Sequence, residues 1–355
     1  MKMTDRYDLA IVGGGIVGAW TLYLATLRHP HWRIVLVDRY RAGEGATAHS
    51  AGVLLATGRS ARERKLAAIS ADLYGNVHAP FGLSTTRADV FWVADARSTE
   101  EVRAVAVHFS IGGGSIMQAE LERRLGVSTH LDAAQTVLRG GTAISHDPGL
   151  IARSLISASL RSANVSCIEG VAVTTMQPSP PGTELGLADG RLLHAGRSVI
   201  AVGPWIVEQP FEPFADAHDV RIKKVVALHI DRAPQPDAAA VFFPQEDAYL
   251  MPLPARNQWL FSFRSDEWDC RPGKHALEIN DRDRNVAKAV LRRYLPDLAD
   301  LCCGGRVFCD AYTSTGEPLV RLDPSRAAVF AGAGSGAGFR LAPGIAEEAL
   351  HLIEA

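Results

Sequence analysis

The chain has 355 residues, which at roughly 100–200 residues per domain predicts two domains or one domain carrying a large insertion. Its 37 Lys and Arg against 39 Asp and Glu leave a formal charge of −2, so there is no global basic field for gripping nucleic acid or an anionic membrane surface. With 47% apolar and 21% charged residues it has material for a substantial core, which excludes a disordered or collagen-like chain.

Cys167, Cys270, Cys302, Cys303 and Cys309 are odd in number and show no CxxC spacing, so neither a disulfide framework nor a zinc ribbon is predicted, and a reducing compartment is the simplest expectation. No apolar run approaches the ~18 residues of a membrane span, and residues 1–8 lead into a strand with no signal-peptide core. A cytoplasmic protein with no membrane or nucleic-acid partner is expected. The histidines show no metal-ligand spacing, so no metal is expected either.

In chain order, residues 7–12 form a nearly continuous apolar run that breaks at Gly13, as a strand buried on both faces should. Residues 16–27 have helical spacing and residues 33–37 form a second apolar strand ending at Asp38, which makes a βαβ unit. A Gly- and Ala-rich loop over 41–58 and an amphipathic helix over 59–74 follow. From 81 to 146 the pattern changes to strands and one charged helix (118–125), interrupted by Gly112, Gly113 and Gly114, and reads as an inserted unit. Asp147 is a candidate N-cap with Pro148 in the first helical position. Strands are expected at 171–175 and 198–202, with Asp189-Gly190 turning a hairpin between short runs at 185–187 and 191–193. Residues 214–272 are β-rich, 281–295 helical, and the chain ends as strand (327–331), glycine loop (332–338) and helix (343–353).

The residues Gly13-Gly14-Gly15-Ile16-Val17-Gly18 satisfy GxGxxG between a strand and a helix. Gly13, Gly15 and Gly18 then serve the tight turn, the approach of a pyrophosphate and close helix packing, and the helix amides, beginning at Ile16 and Val17, face the phosphates. Asp38, twenty residues beyond Gly18, stands where a carboxylate accepts from adenosine ribose hydroxyls. FAD and NAD both use such a unit.

Four separated segments decide between them: IVGGGIVGAW with the Asp38-Arg39 pair of VDR, GEGATAHSAG, SVIAVGPW and FAGAGSGAGFRLAPGIAEEAL. Together, from residue 11 to residue 349, they resemble the FAD-dependent D-amino acid oxidase superfamily, which includes glycine oxidase, sarcosine oxidase and dimethylglycine dehydrogenase. The resemblance implies an α/β fold with a Rossmann-like FAD-binding domain (1–80, 146–213 and 305–355) and an inserted mixed β-sheet substrate domain (81–145 and 214–304). It implies that Ala46, Thr47, His49, Ser50, Ala51 and Gly52 lie along the flavin and its diphosphate, that Val171 and Val173 present backbone groups to adenine, and that Gly203, with Trp205 beyond it, approaches the cofactor. It also implies that the loop of Gly334, Gly336 and Gly338, leading into Phe339, Arg340 and Leu341, faces the flavin pyrimidine ring. The clustered amides there have a physical logic of their own, since they would stabilise negative charge on the reduced ring.

Arg340 matches a basic residue that contacts substrate carboxylate in sarcosine oxidase-like enzymes; the alternative is an arginine that only braces its loop. Tyr249 and Tyr312 match, or nearly match, tyrosines of the substrate cavity; each is equally readable as an amphipathic tyrosine with a satisfied hydroxyl. The chain departs from the family in three places. CDAYTSTGEP holds no arginine where amino acid oxidases anchor the carboxylate. Phe261 stands near the position of an oxygen-activating lysine, with Arg264 close by. Cys309 lies near a flavin-linking cysteine but one residue out of spacing, while His49 resembles a flavin-bearing histidine.

The resulting expectation is an FAD enzyme oxidising the C–N bond of an amino acid or of a primary or secondary amine by hydride transfer to flavin N5, giving an imine. Alternatives are a flavin-dependent dehydrogenase of a 2-hydroxy acid or glycerol phosphate, for which Arg221, Lys223 and Lys224 would serve a larger anion unless they form a charged strand edge, a flavin-carrying subunit of a multi-protein dehydrogenase, and an NAD dehydrogenase.

Overall fold

The computed structural model describes residues 5–113, 116–273, 277–323 and 327–355; Gly114 lies outside them. Two sheets organise the chain. In the eight-stranded sheet, Asp5–Val12 is flanked in parallel by Leu192–Ile200 and Ile34–Val37. Val165–Ile168 and Ala328–Gly332 continue the parallel arrangement outward, and Leu319–Asp323 closes one side antiparallel.

The apolar runs arise because both faces of this sheet are covered. Leu9 and Ile11 pack with Ile16–Arg28, Pro148–Ser159 and Gly338–Glu354, whereas Ala10 and Val12 join a cluster on the opposite face with Phe214 and Phe330. Asp147 caps its helix by accepting from Leu150 N at 2.8 Å. Gly190 turns the hairpin at φ +86°, but Leu192–Ile200 is one strand where the sequence suggested two short ones. Gly196 interrupts its apolar run without interrupting the ladder to Asp5–Val12.

The C-terminal helix begins at Gly338 rather than near Pro343, and Pro343 is inside it. A proline there deprives the Phe339 carbonyl of its N–H partner. Tyr74 Oη replaces that partner, donating to Phe339 O at 2.7 Å, and Gly344 N donates to Ser70 Oγ at 3.0 Å. Tyr74 and Ser70 both come from the Ala61–His78 helix, which extends four residues beyond the predicted end.

The nine-stranded sheet runs in the order Cys302–Tyr312, Arg221–Ile230, Gln258–Phe263, Ala248–Leu253, Ala240–Phe243, Thr86–Asp95, Gln135–Ser145, Val53–Leu54, with Gly112–Gly113 beside Gln135–Ser145. Its pairings are antiparallel except that between Ala240–Phe243 and Thr86–Asp95. Arg221–Ile230 lies inside the sheet, between Cys302–Tyr312 and Gln258–Phe263, so its three basic residues do not blunt an exposed edge. All five cysteines are free, and among the described residues no helix is long and apolar enough to cross a membrane and no cluster of side chains suits a metal ion.

Replacing Tyr74 by Phe leaves the buried Phe339 carbonyl without a donor, and urea unfolding is expected to show a loss of about 1–3 kcal/mol. His146 is 8% exposed beside His78, and neither of its ring nitrogens has a partner among the described residues. Burial, reinforced by His78, pulls it from 6.5 to about 4. The unfolded chain therefore binds the proton first, and stability is lost as pH falls from about 6.5 toward 4, by up to about 1.4 kcal/mol per pH unit. Unfolding titrations between these limits are expected to show a shallower slope for His146→Asn.

Candidate active site and cofactor cleft

A cleft opens at the carboxyl ends of the parallel strands, where Gly13, Asp38, Gly203 and Gly334 follow the strands from which they emerge. This is the crevice that open α/β sheets offer to ligands. Gly13 has φ +103°, and a Cβ on it would lie 2.4 Å from Ala201 O; a Cβ on Gly18 would lie 1.9 Å from Gly13 O. Strand, turn and helix thus meet backbone to backbone. Gly15 is the helix N-cap without a side-chain cap, and Ile16 N donates to Thr47 Oγ1 at 3.0 Å, so the positive helix end opens toward the cleft.

Asp38 accepts from Gly14 N at 2.6 Å and Tyr40 N at 2.7 Å, while burial raises it above the usual carboxylate value. A carboxylate with two such bonds retains lone pairs for ribose hydroxyls. Arg39 pairs with Glu208 at 2.6 Å and lies over the rings of Tyr40 and Trp205. Val17, Ala46, Ser50, Val171, Val173, Gly336, Gly338 and Phe339 complete the wall. Gly18 and Leu341 line no cavity: the first is consumed by helix packing and the second is fully buried in the core.

A second cavity, of about 460 Å³, adjoins the cleft and falls within the roughly 300–1,000 Å³ of small-molecule sites. Ser50, Val225, Phe308, Gly336 and Phe339 border both spaces. Strand parity explains the wall: Lys223, Val225 and Ala227 share one face of their strand, opposite Asp310, Phe308 and Arg306. His49, Ala51, Gly52, Tyr249, Tyr312 and Arg340 line this second cavity, so the sequence-predicted residues divide between the two spaces.

Arg340 is half-buried and donates through Nη1 to Thr57 O, which braces the loop, while its side chain also borders the cavity. Burial lowers it to about 10, so it stays a cation at neutral pH. Tyr249 stacks on Phe242 with centroids 5.2 Å apart, and burial raises both Tyr249 and Tyr312, which keeps their hydroxyls protonated. His49 stacks near Phe308, and burial together with Arg306 lowers it, so it is neutral at pH 7.

The fold places three further residues. Cys309 faces away from the cleft, in the core cluster of Ile222, Ala311 and Phe330, with burial pushing its thiol up to about 12; a thioether there has no geometric support. Phe261 is fully buried in the core under the other face of its strand, whereas Lys223 and Lys224 are the lysines that border the cavity. Asp310, overlooked in the sequence, accepts from Gly336 N at 3.1 Å and Ala311 N at 2.9 Å and so ties the glycine loop to the nine-stranded sheet. Its only sequence signal is a lone carboxylate at an inward position of a strand.

The FAD dependent oxidoreductase family model matches residues 8–352. The chain belongs to this family. Its strand ends, uncapped helix start and Asp38 carboxylate fit FAD, and it is an FAD-dependent oxidoreductase. A glycine oxidase of Geobacillus kaustophilus (strain HTA426) is 45% identical over 53 residues, a stretch covering 15% of this chain and only 13% of that protein. Among solved structures, glycine oxidase from Geobacillus kaustophilus is similar at TM-score 0.79 and 20% identity, covering 99% of this chain and 95% of that one. L-proline dehydrogenase from P. horikoshii is similar at TM-score 0.82 and 14% identity over 99% and 94%. L-α-glycerophosphate oxidase from Mycoplasma pneumoniae gives 0.78 and 16% over 99% and 96%. At these identities the structural likenesses establish the fold.

Gly13→Ala places a methyl against Ala201 O at a backbone angle that disfavours side chains. The purified variant is expected to carry little or no flavin, read from the ratio of visible to ultraviolet absorbance against wild type.

Proposed function

We propose that this enzyme oxidises the C–N bond of an amino acid or carboxylate-bearing amine, and that Tyr249, Tyr312 and Arg340 form its substrate site. The observation that carries the reading is Arg340: a half-buried guanidinium that borders the cavity one turn beyond the glycine loop. A guanidinium so held grips a carboxylate through charge-assisted hydrogen bonds. The names of its structural relatives, a glycine oxidase and an L-proline dehydrogenase among them, support the same class.

Bound FAD supplies the hydride acceptor. Arg340 anchors the carboxylate and so fixes the carbon next to nitrogen at the border where Ser50, Phe308, Gly336 and Phe339 line both spaces. Val225, Phe242 and Phe308 keep water from the reacting carbon. Lys223 and Arg340 give the cavity a positive potential that disfavours a bound ammonium, so the neutral amine, whose lone pair drives hydride departure, is the form selected. The two-domain division, with cofactor held by 1–80, 146–213 and 305–355 and substrate by 81–145 and 214–304, is part of this reading.

Arg340→Met is expected to lower kcat/KM for amino acids by about 10–100-fold, chiefly through KM, with Arg340→Lys between the two; steady-state kinetics with the flavin content checked measures this. Equal loss for amines without a carboxylate would contradict the assigned role. Including 2-hydroxy acids and glycerol phosphate in the same substrate series tests C–O oxidation, the reading that the glycerophosphate oxidase likeness keeps open.

A further inference from the structure

Five basic side chains border the larger cavity, and they are not alike. Arg59 pairs with Glu63 at 3.2 Å, Arg264 with Asp266 at 3.2 Å, and Lys224 turns to the opposite side of its strand, to Asp283 at 2.8 Å and Glu267 at 3.1 Å. Arg340 has Thr57 O. The Lys223 side chain belongs to a residue only 7% exposed, and among the described residues its ammonium has neither an ion pair nor a hydrogen bond. Its ammonium lies 5.2 Å from the ring centre of Trp268 and 5.3 Å from that of Tyr312.

These two rings stabilise a cation by their faces but accept none of its three N–H bonds. Nearby carboxylates do not fill the role. Asp310, directly across the ladder, turns its oxygens to the amides of Gly336 and Ala311. Asp247, the carboxylate that borders the cavity, is exposed and forms no ion pair with Lys223. An ammonium that faces a cavity with no protein acceptor for its N–H groups gains charge-assisted hydrogen bonds when an anion arrives there. Tyr312 extends the same corner: its hydroxyl would lie 3.0 Å from a Cβ on Gly336, and burial keeps it protonated and able to donate.

We propose that Lys223, with the hydroxyl of Tyr312, forms a second anion subsite in the cavity, so that the preferred substrate is an amino acid bearing a further carboxylate or phosphate beyond the one held by Arg340. This rests on the amino acid reading of Arg340 and refines it. A substrate with two anionic ends would engage both cations that the protein leaves facing the cavity, whereas a simple amino acid would leave Lys223 buried and unmet.

The test titrates the flavin-loaded protein with succinate, glutarate and adipate against monocarboxylates of equal chain length, following perturbation of the flavin visible spectrum. A 3-phosphonopropionate arm separates a phosphate-like second group from a carboxylate. In wild type at least one two-anion ligand is expected to bind ten-fold or more tightly than its monoanionic counterpart. Lys223→Met is expected to erase that gap and Lys223→Arg to retain most of it. A wild-type protein with no such preference overturns the proposal without recourse to any variant, as does a preference that survives in Lys223→Met. Arg340→Met separates the two readings: weaker binding of monocarboxylates and dicarboxylates alike upholds the carboxylate anchor even if Lys223 fails, and unchanged binding of both removes the anchor and this proposal together.

Discussion

Backbone must touch backbone at Gly13 for this molecule to have a cofactor cleft. The strand Asp5–Val12 ends there at φ +103°, with Ala201 O so near that any side chain would collide and Gly18 pressed on the Gly13 carbonyl from the helix side. That three-way contact draws the Ile16–Arg28 helix start down onto the strand ends and aims its amides into the crevice. Everything lining the cleft, from Asp38 to the rings of Tyr40 and Trp205, is positioned relative to this point.

The substrate side depends on a second junction, where the two sheets share a wall. Phe308 and Val225 face each other across the ladder and border both spaces, while Asp310 on the same strand holds the glycine loop through Gly336 N. The loop is anchored from behind as well, because Tyr74 and Ser70 satisfy the helix turn that Pro343 would otherwise break. Arg340 therefore rises from a turn whose backbone is tied on two sides. Such support is what a carboxylate anchor needs if the reacting carbon is to be placed to within a fraction of an ångström.

Much of this was legible in the chain. GxGxxG between an apolar strand and a helix, with a carboxylate at the end of the next strand, states its own geometry, and the glycine-rich segments assembled by the fold around one cleft are each locally recognisable. What was not legible depends on partners distant in sequence or on strand parity. Pro343 argued for a helix start because nothing local reveals that Tyr74, more than 260 residues away, supplies the missing donor. Phe261 only approximately matches the oxygen-activating lysine, and in a strand a one-residue offset sends a side chain to the opposite face. Lys223 and Lys224 are neighbours of the same type, and only the tertiary structure separates a lysine neutralised by Asp283 from one left unmatched.

In the proposed reaction, substrate electrons enter the bound flavin from an amino acid or carboxylate-bearing amine held by Arg340. Mixing the flavin-loaded protein anaerobically with amines, amino acids and 2-hydroxy acids, and watching for loss of the oxidised flavin's visible band, tests it without regard to the electron acceptor. Rapid bleaching by at least one amino acid or carboxylate-bearing amine is expected in wild type, and much slower bleaching in Arg340→Met. Bleaching by hydroxy acids alone, or by amines irrespective of a carboxylate, would contradict it.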